Sequence, residues 1–362
     1  MKKVFVSGCF DILHGGHIEF FNQAKALGDH LTVCFANDEV LLRHKGKKPS
    51  LPIGHKKRLI ESFSMVDEVV IGEDLEPGLD FKSHFLQIKP NILAVTEDDK
   101  YGQQKRKLCE QVRAKYTVLP KSLNFQKIST TEIINYIKAP QETPLRVDFA
   151  GGWTDVPKYA RSDSWIINCT ITPTVSLNHW PYEVGSGLGG SAAYSILVGK
   201  NGLQSELDLG VGWQDPAVIA ETGLCVWKSG PVPKLEFKIN PEFLIGKMAL
   251  LWTGNNHVTY KEVHNKRDYD LIALAGRTAR EAVNPFEVDF DKLCKAINLS
   301  YKAQTDEGME ELPDSRQIAK KYCGGGFGGY ALYIFPTVVE RNKFLSLENT
   351  TKIEPYLKQL MA

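Results

Sequence analysis

Apolar residues in the first 138 positions form short runs that alternate with amphipathic stretches. The runs predict strands at KKVFVSG, HLTVCFAN, DEVVIG, NILAVTE and YTVLP. The stretches between and after them predict helices at HIEFFNQAKALG, PIGHKKRLIESFSMV, HFLQIKP, KRKLCEQVRAK and STTEIINYIK. Strands that alternate with helices form parallel sheets, so the pattern predicts an α/β fold with a doubly wound, Rossmann-like sheet. Ligands of such sheets bind beyond the carboxyl ends of the strands.

The regular alternation of strand-like and helix-like segments ends at the polar segment KAPQETP. Strand-like runs follow at LRVDFAGG, SWIINCTITPTVSLNHW, LEFKI, MALLWTG and GGYALYIF, and helical periodicity at DLIALAGRTAREAV and FDKLCKAINLSYKAQ. These elements are mixed and do not alternate, which is typical of an α+β domain. We therefore expect a first domain over 1–138, a linker over 139–144 and a second domain over 145–362.

Composition narrows the classes of function. The chain has 362 residues, 43% of them apolar and 24% charged, with a net charge of +1. This balance gives no reason to expect nucleic acid or a membrane as partner, and no apolar run approaches the roughly 20 residues of a membrane span. The start MKKVFVSGCFD is too short for a signal peptide. Seven cysteines are scattered without a CxxC pair, so we expect a cytoplasmic protein with reduced thiols.

Two histidines, His14 and His17, flank a glycine pair between the first strand and the first helix. A metal site is one interpretation, although no third ligand of suitable spacing stands nearby. Ordinary structural histidines are a second. The third, which we favour, is phosphate binding: Gly15 and Gly16 allow close approach of the backbone, and the helix offers its first amides. Imidazoles there can donate hydrogen bonds to phosphate oxygens.

The segment GCFDILHGGH resembles the HxGH loop of the nucleotidylyltransferase superfamily, particularly its glycerol-3-phosphate and heptose-phosphate cytidylyltransferase branch. Three further pieces resemble that branch in matching order, namely NDEVLLRHKGKKPSLPIGHKKRLIESFSMVDEVVIG, TEDDKYGQQKRKLC and KISTTEII. Together they cover nearly all of residues 1–138. The resemblance implies attack by a substrate phosphate on the α-phosphate of a nucleoside triphosphate, with release of pyrophosphate and no side-chain nucleophile.

The same resemblance implies roles for individual residues. It implies catalytic roles for His14, His17 and Lys45, nucleotide binding by Gly8, Phe10, Gly15, Gly16, Ser129, Thr130 and Thr131, and substrate binding by Asp11 and Asp98. It also implies CTP or ATP as donor, a sugar phosphate as acceptor, and a homodimer through the first domain. The family pattern RTxGISTT is NFQKISTT here, with Asn124 at the arginine position and Lys127 at the glycine position. This departure leaves the choice between CTP and ATP open.

Three glycine-rich pieces mark the second half. They are PLRVDFAGGWTDVP, GSGLGGSAAYS and CGGGFGGYAL. Each alone fits a tight turn, but the three together indicate loops that wrap phosphates, and the second opens a helix. It is not a Walker A motif, because no GK[ST] follows.

The three pieces resemble the motifs of the GHMP kinase superfamily, with the fucokinase and heptose-7-phosphate kinase branch the most similar. The resemblance implies catalytic roles for Asp215 and Arg146, nucleotide binding by Gly187, Gly189, Gly190, Ser191, Gly324, Gly325 and Gly326, substrate binding by Asp155 and Trp153, and Mg²⁺ binding by Ser191 and Glu206. His257 is either close to the substrate or an ordinary loop histidine.

The intervals between these motifs are shorter than is usual in that superfamily. KNGLQSELDLG, which contains Glu206, hardly allows a full helix. Two hypotheses follow. In the first, the chain is a bifunctional enzyme of nucleotide-sugar biosynthesis, acting on a heptose or related sugar. In the second, the transferase is active and the kinase-like domain only binds or regulates. A scaffold with both sites inactive is disfavoured, because it would not need both the HGGH and ISTT motifs.

Overall fold

A computed structural model of the chain describes residues 1–46, 48–121, 127–256 and 266–357, and the side chains of positions 44 and 45 lie outside the described set. The chain divides into two compact units, Met1–Asn135 and Tyr136–Ala362. Within the described ranges, no helix combines the length and the apolar character needed to cross a membrane.

The first unit is built on one parallel sheet. Its strands are β1 (Lys3–Gly8), β2 (His30–Ala36), β3 (Glu68–Gly72), β4 (Ile92–Thr96) and β5 (Lys115–Leu119). Its helices are α1 (Gly15–Lys25), α2 (Asp38–Lys45), α3 (Ile53–Glu61), α4 (Lys82–Ile88) and α5 (Gly102–Val112), and α6 (Thr130–Lys138) begins in this unit. The strand order is β3-β2-β1-β4-β5, all parallel. The predicted doubly wound α/β sheet is confirmed.

Burial on both faces explains why the first strand is a continuous apolar run. Val4 and Val6 pack on one face with Phe21 of α1, and Phe5 packs on the other with Phe81 and Phe85. A central parallel strand covered by helices on both sides is expected to lack polar alternation. The strand order reverses direction at β1, between β2 and β4, which places the loop after β1 at the switch point where ligands bind.

The second unit combines two antiparallel sheets with helices, as predicted for an α+β domain. One sheet has the order β11-β12-β10-β13; in the other, β7 pairs with β6, β8 and β14, and β9 follows β8. The strands are β6 (Thr143–Ala150), β7 (Trp165–Val175), β8 (Leu224–Lys228), β9 (Lys234–Ile239), β10 (Met248–Trp252), β11 (Ala319–Tyr322), β12 (Tyr330–Ile334), β13 (Thr350–Lys352) and β14 (Glu354–Pro355). The helices in its described part are α7 (Gly190–Leu197), α8 (Gly202–Asp208), α9 (Gln214–Glu221), α10 (Tyr269–Ala282), α11 (Phe290–Asp306) and α12 (Val338–Phe344).

A buried tryptophan fixes the start of α9 in this unit. Trp213 is fully buried, its indole N–H donates to the Gly230 carbonyl at 2.8 Å, and its ring meets Trp227 edge-on at 5.9 Å. Because Trp213 directly precedes α9, the position of Asp215 in the first turn of that helix is set by core packing.

Short helices are where the structure departs from the predicted pattern. The segment with Glu206 was expected hardly to allow a full helix, and it forms the short helix α8, which spans two turns. Asn201 caps it by accepting a hydrogen bond from the Gln204 amide at 3.2 Å. In α2, Asn37 plays the same part for the Val40 amide at 2.9 Å. A capping side chain supplies about 1 kcal/mol, which matters most for helices too short to show apolar periodicity. β6 also begins at Thr143, inside the predicted linker.

Truncation of Phe5 should destabilise the first unit. We expect Phe5→Ala to lower the free energy of unfolding by about 3–5 kcal/mol, because it opens a cavity beside two other phenylalanines. Urea denaturation of the full chain measures the loss. Val118→Ala on β5, where the side chain is 48% exposed, is the control and should cost below about 1 kcal/mol. Equal losses in the two variants would contradict this account of the core.

Candidate active sites

The first unit holds a cavity of about 640 Å³ at the carboxyl ends of its central strands. Among the predicted site residues, it is lined by Gly8, Phe10, Asp11, His14, Gly16, His17, Asp98, Ser129, Thr130 and Thr131. The structure thus brings the HGGH loop and the ISTT segment, from opposite ends of this unit, to one place. Gly15 is the first residue of α1. The side chain of Lys45 and all of Asn124 lie outside the described residues.

The two histidines form a stacked pair at the start of α1. His14 is the N-cap residue, and its Nδ1 accepts a hydrogen bond from the Gly16 amide at 3.2 Å. This bond places the proton of neutral His14 on Nε2. The ring centroids of His14 and His17 are 3.9 Å apart. A Cβ on Gly16 would lie 3.1 Å from the His14 ring, so a side chain there would crowd the stack.

Burial keeps these imidazoles neutral. It lowers the pKa of His17 to about 4, with a further contribution from His14, and it also lowers the pKa of His14. At neutral pH the pair therefore acts through N–H donors and not through positive charge. Nδ1 of His17 is buried and has no hydrogen-bond partner among the described residues. An orphaned polar atom on a cavity wall fits a site that binds a polar ligand.

The predicted substrate carboxylates of this cavity already have protein partners. Asp11 accepts hydrogen bonds from the amide and hydroxyl of Ser50, at 2.6 and 2.9 Å. It therefore ties the loop after β1 to the segment before α3. Asp98 accepts from Thr96 at 2.6 Å and pairs with Lys121 at 2.8 Å. The hydrogen bond from Lys121 is the main cause that lowers the pKa of Asp98.

The ISTT segment builds the start of α6 through a capping box. The Ser129 amide donates to the Glu132 carboxylate at 2.7 Å, and the Glu132 amide donates back to the Ser129 hydroxyl at 3.2 Å. The Thr130 hydroxyl donates to the carbonyl of Ile12 at 3.3 Å, which joins this segment to the HGGH loop. The hydroxyls of Ser129 and Thr130 are thus partly structural.

Sequence reasoning missed three charged residues here. Asp99 pairs with Lys105 at 2.9 Å and accepts from the Tyr116 hydroxyl at 2.7 Å, and both Asp99 and Lys105 line the cavity. Burial alone would raise the pKa of Asp99, but these two hydrogen bonds lower it. Lys56 is fully buried and donates to the Cys9 carbonyl at 3.3 Å, behind the HGGH loop. The adjacent acids of TEDDKY were a signal for Asp99, whereas nothing local distinguishes Lys56 from its exposed neighbours.

The second unit holds a cavity of about 380 Å³. The predicted residues that line it are Arg146, Trp153, Asp155, Gly187, Gly189, Gly190, Ser191, Glu206, Asp215, Gly324 and Gly325. Gly326 is not part of this lining, and its nucleotide contact stays a prediction. A Cβ on Gly326 would lie 2.2 Å from the sulfur of Met309, so the backbone packs closely against that side chain. His257 lies outside the described residues.

Two glycine loops meet backbone to backbone in this cavity. A Cβ on Gly187 would lie 2.8 Å from the Cys323 carbonyl oxygen, and one on Gly324 would lie 3.0 Å from the Gly187 carbonyl oxygen. Both glycines have positive φ, at 71° and 58°. The first loop leads into α7, whose N-cap Gly189 offers no side-chain cap. Because Gly190 and Ser191 of its first turn line the cavity, the uncapped start of α7 is placed where an anion could bind.

A chain of buried charges lies behind these loops. The Arg146 guanidinium binds one oxygen of Asp215 at 2.6 Å through two nitrogens, and donates to the Gly187 carbonyl at 2.8 Å. On its other side it lies 3.4 Å from Asp148, which is paired with Lys321. Burial would lower the pKa of Arg146, but the two aspartates raise it well above its usual value. Nothing in the sequence indicated the Asp148–Lys321 pair, because the two residues lie on β6 and β11, which are far apart in the chain.

Two further carboxylates are crowded into the same space. Burial, and then the charge of Asp215, raises the pKa of both Asp155 and Glu206 to about 7. Asp155 accepts from the Gln214 backbone amide at 3.2 Å and from its side-chain amide at 3.3 Å, so it anchors the start of α9. The Ser191 hydroxyl opposes this rise in the pKa of Glu206, and both residues line the cavity.

Comparison with known proteins matches the first unit to a family. Residues 5–136 match the cytidylyltransferase-like family. FAD synthase of Pyrococcus horikoshii is 35% identical over 113 residues, which cover 31% of this chain and 70% of that protein. The chain belongs to the cytidylyltransferase-like family. The predicted resemblance of the first domain to nucleotidylyltransferases is confirmed at this level, and the cytidylyltransferase-like part is confined to the first of the two units.

Two solved structures resemble parts of this cytidylyltransferase-like chain. A lipopolysaccharide core biosynthesis protein from Thermoplasma volcanium is 28% identical, with a TM-score of 0.29, and the match covers 34% of this chain and 97% of that one. Mevalonate kinase of L. major, solved with R-mevalonate, is 14% identical, with a TM-score of 0.39, and the match covers 60% of this chain and 94% of that one.

Stability should depend on the protonation of His17. Its pKa is about 4 in the folded protein and about 6.5 in an unfolded chain, so only the unfolded state takes up the proton between these values. The stability that His17 contributes as a neutral group is thus complete above pH 6.5, and we expect it to be lost as the pH falls toward 4. Urea denaturation across this range measures the slope, and NMR titration of the ring checks the pKa. His17→Asn should flatten the slope, whereas the exposed His55→Gln should retain it. A titration of His17 near 6.5 would contradict the burial argument.

Removal of the Lys321 charge should destabilise the protein, because it leaves a buried carboxylate without its partner. Lys321→Met leaves Asp148 without its nearest cation, and we expect a loss of about 3–5 kcal/mol in the free energy of unfolding. Adding Asp148→Asn to that variant should recover part of the loss, because it removes the unpaired charge. Denaturation of both variants tests this, and a double variant less stable than Lys321→Met would argue against an electrostatic origin.

Proposed function

We propose that this chain is a bifunctional enzyme of nucleotide-sugar biosynthesis. Residues 1–138 transfer a nucleotidyl group from CTP or ATP to a sugar or polyol phosphate and release pyrophosphate. Residues 145–362 phosphorylate a sugar or sugar phosphate with ATP. The observation that carries the proposal is the meeting of the HGGH loop and the ISTT segment in one cavity of a cytidylyltransferase-like domain.

In the proposed transfer, an oxygen of the acceptor phosphate bonds to the α-phosphorus of the nucleotide. The bond from that phosphorus to the bridging oxygen breaks, and pyrophosphate leaves. Neutral His14 and His17 donate hydrogen bonds to the phosphate oxygens as charge moves toward pyrophosphate. Residues at the starts of α1 and α6 line the same cavity, where the positive ends of the two helix dipoles favour phosphate. Positioning supplies most of the rate, because no covalent intermediate is needed.

The names of the similar proteins help to choose between CTP and ATP as the nucleotide donor. FAD consists of FMN joined to AMP through a pyrophosphate bond, so a FAD synthase forms the same type of bond as a sugar-nucleotide synthase. The similarity to FAD synthase therefore favours ATP as donor over CTP. It also makes FMN a second candidate acceptor, which belongs in any panel of substrates.

In the proposed kinase site, the acceptor hydroxyl attacks the γ-phosphorus and Asp215 takes its proton. Arg146 binds Oδ1 of Asp215 through two nitrogens, which fixes the carboxylate in the first turn of α9. The second oxygen of Asp215 then takes the proton. The first amides of α7 and the glycine loops cradle the phosphates of ATP.

The residues present fit a magnesium ion. Ser191 and Glu206 line the same cavity, and the nearby charge of Asp215 helps to raise the pKa of Glu206, a repulsion that a cation would relieve. The described residues contain no group of three or more His, Cys, Asp or Glu side chains placed to hold a metal. Mg²⁺ commonly binds through one or two protein oxygens plus water and phosphate, so Ser191 and Glu206 would hold it. Such an ion neutralises phosphate charge.

A two-channel assay on the purified chain tests both activities. One channel follows pyrophosphate release from CTP or ATP with sugar 1-phosphates, glycerol 3-phosphate and FMN. The other follows ADP release from ATP with free sugars and sugar phosphates. Pyrophosphate without ADP would reduce residues 145–362 to a binding or regulatory module. No pyrophosphate with any donor and acceptor would contradict the transferase.

Single substitutions should separate the two channels. We expect His17→Ala to lower pyrophosphate release by about 10²–10⁴-fold and to leave ADP release unchanged, because it removes a phosphate donor in the first unit only. Asp215→Asn should lower ADP release by a similar factor and leave pyrophosphate release unchanged. Full transferase activity in His17→Ala would refute phosphate binding by the HGGH loop.

A further inference from the structure

The cavity of the second unit carries a surplus of carboxylates. Asp155, Glu183, Glu206 and Asp215 line it, and among the described lining residues Arg146 is the one cation. A site that holds a phosphate on its acceptor substrate needs Arg, Lys or a set of backbone amides aimed at that phosphate. In the described lining, Arg146 and the backbone amides of the glycine loops are the groups of this kind.

Arg146 is already engaged on its accessible sides. Two of its nitrogens bind Asp215 at 2.6 Å, and the third binds the Gly187 carbonyl at 2.8 Å and faces Asp148 at 3.4 Å. Its side chain is 3% exposed. The backbone amides of the glycine loop and α7 are the remaining anion site, and in the proposed kinase they hold ATP. The described lining thus has no further Arg or Lys side chain for a second phosphate.

An aromatic residue lines the same cavity as these carboxylates. Trp153 is part of the lining, and the Arg267 guanidinium lies 3.7 Å from the centroid of its ring. Arg267 is in turn paired with Glu307 at 2.8 Å, and both side chains are buried. The indole is therefore fixed from one side by a buried ion pair. A rigid aromatic face accepts the apolar C–H face of a sugar, while carboxylates accept hydrogen bonds from its hydroxyls.

We propose that the phosphoryl acceptor of this site is an unphosphorylated sugar or polyol, bound between the Trp153 ring and the carboxylates. The proposal rests on the kinase activity proposed above. A neutral polyol donates O–H bonds to the carboxylates, whereas a sugar phosphate brings about −1.5 to −2 further charges among them. In the reaction the acceptor oxygen bonds to the γ-phosphorus and the bond to the β–γ bridging oxygen breaks. ADP leaves, and the hydroxyl proton passes to Asp215.

Matched acceptor pairs test this proposal. ADP release by the full chain with Mg·ATP is compared for D-mannose and its 6-phosphate, and for sedoheptulose and its 7-phosphate. We expect kcat/KM to favour the free member of each active pair by at least about a hundredfold, because like charges in an interface are strongly unfavourable. Equal values, or a preference for the phosphates, would overturn the proposal.

A charge added at the rim tests the physical cause. Val184 lines the cavity with 79% of its surface exposed, so substitutions there should fold. We expect Val184→Lys to reduce the preference for free sugar about tenfold, and the uncharged control Val184→Ser to keep the wild-type ratio. An unchanged ratio in Val184→Lys would overturn the electrostatic basis of the proposal.

Failure of the kinase and failure of this inference give different results. If no acceptor supports ADP release, the proposed kinase activity fails, and binding decides the acceptor class. Saturation-transfer NMR of the same pairs, with Mg²⁺ and an ATP analogue that cannot transfer its γ-phosphate, would support the inference if only the free sugars bind. Binding of the phosphates, or of neither member, would overturn it.

Discussion

Both cavities depend on one constraint, which is that the first amides of an α-helix have no partner within the helix. In the first unit α1 begins at Gly15, and in the second α7 begins at Gly190. Each start follows a loop with glycines, where the missing side chain leaves room for a ligand to approach the amides. In α7 no side chain caps the first amides, and together with the helix dipole they favour an anion. In α1 the Gly16 amide is bound by His14, so the helix dipole and the histidine N–H groups remain for an anion. Two different architectures thus place a helix start at a cavity wall.

The two units differ in the charged groups that surround the helix start. In the first, burial keeps the histidine pair neutral, so the HGGH loop offers hydrogen bonds and little fixed charge. In the second, Asp215, Arg146, Asp148 and Lys321 alternate in sign along a buried chain. Such a chain is costly to desolvate but holds each side chain in one orientation. This rigidity explains how Asp215 is presented to the cavity at a fixed place on α9.

Much of the fold follows from local pattern. The five strands of the first unit are apolar runs bounded by polar residues, and a strand buried on both faces leaves this mark in sequence. The short helices α2, α8 and α9 have no comparable pattern of apolar residues in the sequence. Each spans about two turns, and α2 and α8 depend on a capping asparagine, while α9 depends on the packing of Trp213. Periodicity cannot reveal a helix that short, because too few residues face the core.

The sequence by itself determined that both halves of the chain carry glycine-rich motifs, and that His14, His17, Arg146 and Asp215 lie in or beside them. Only the tertiary structure decided which side chains these residues contact. It paired Asp11 with Ser50, packed Gly326 against Met309, and joined Asp148 to Lys321. The physical reason is that a sequence motif reflects local requirements of the backbone, such as room for a close approach or a glycine where φ is positive. Ion pairs and pKa shifts depend on burial among residues far apart in the chain, and no window of sequence contains that information.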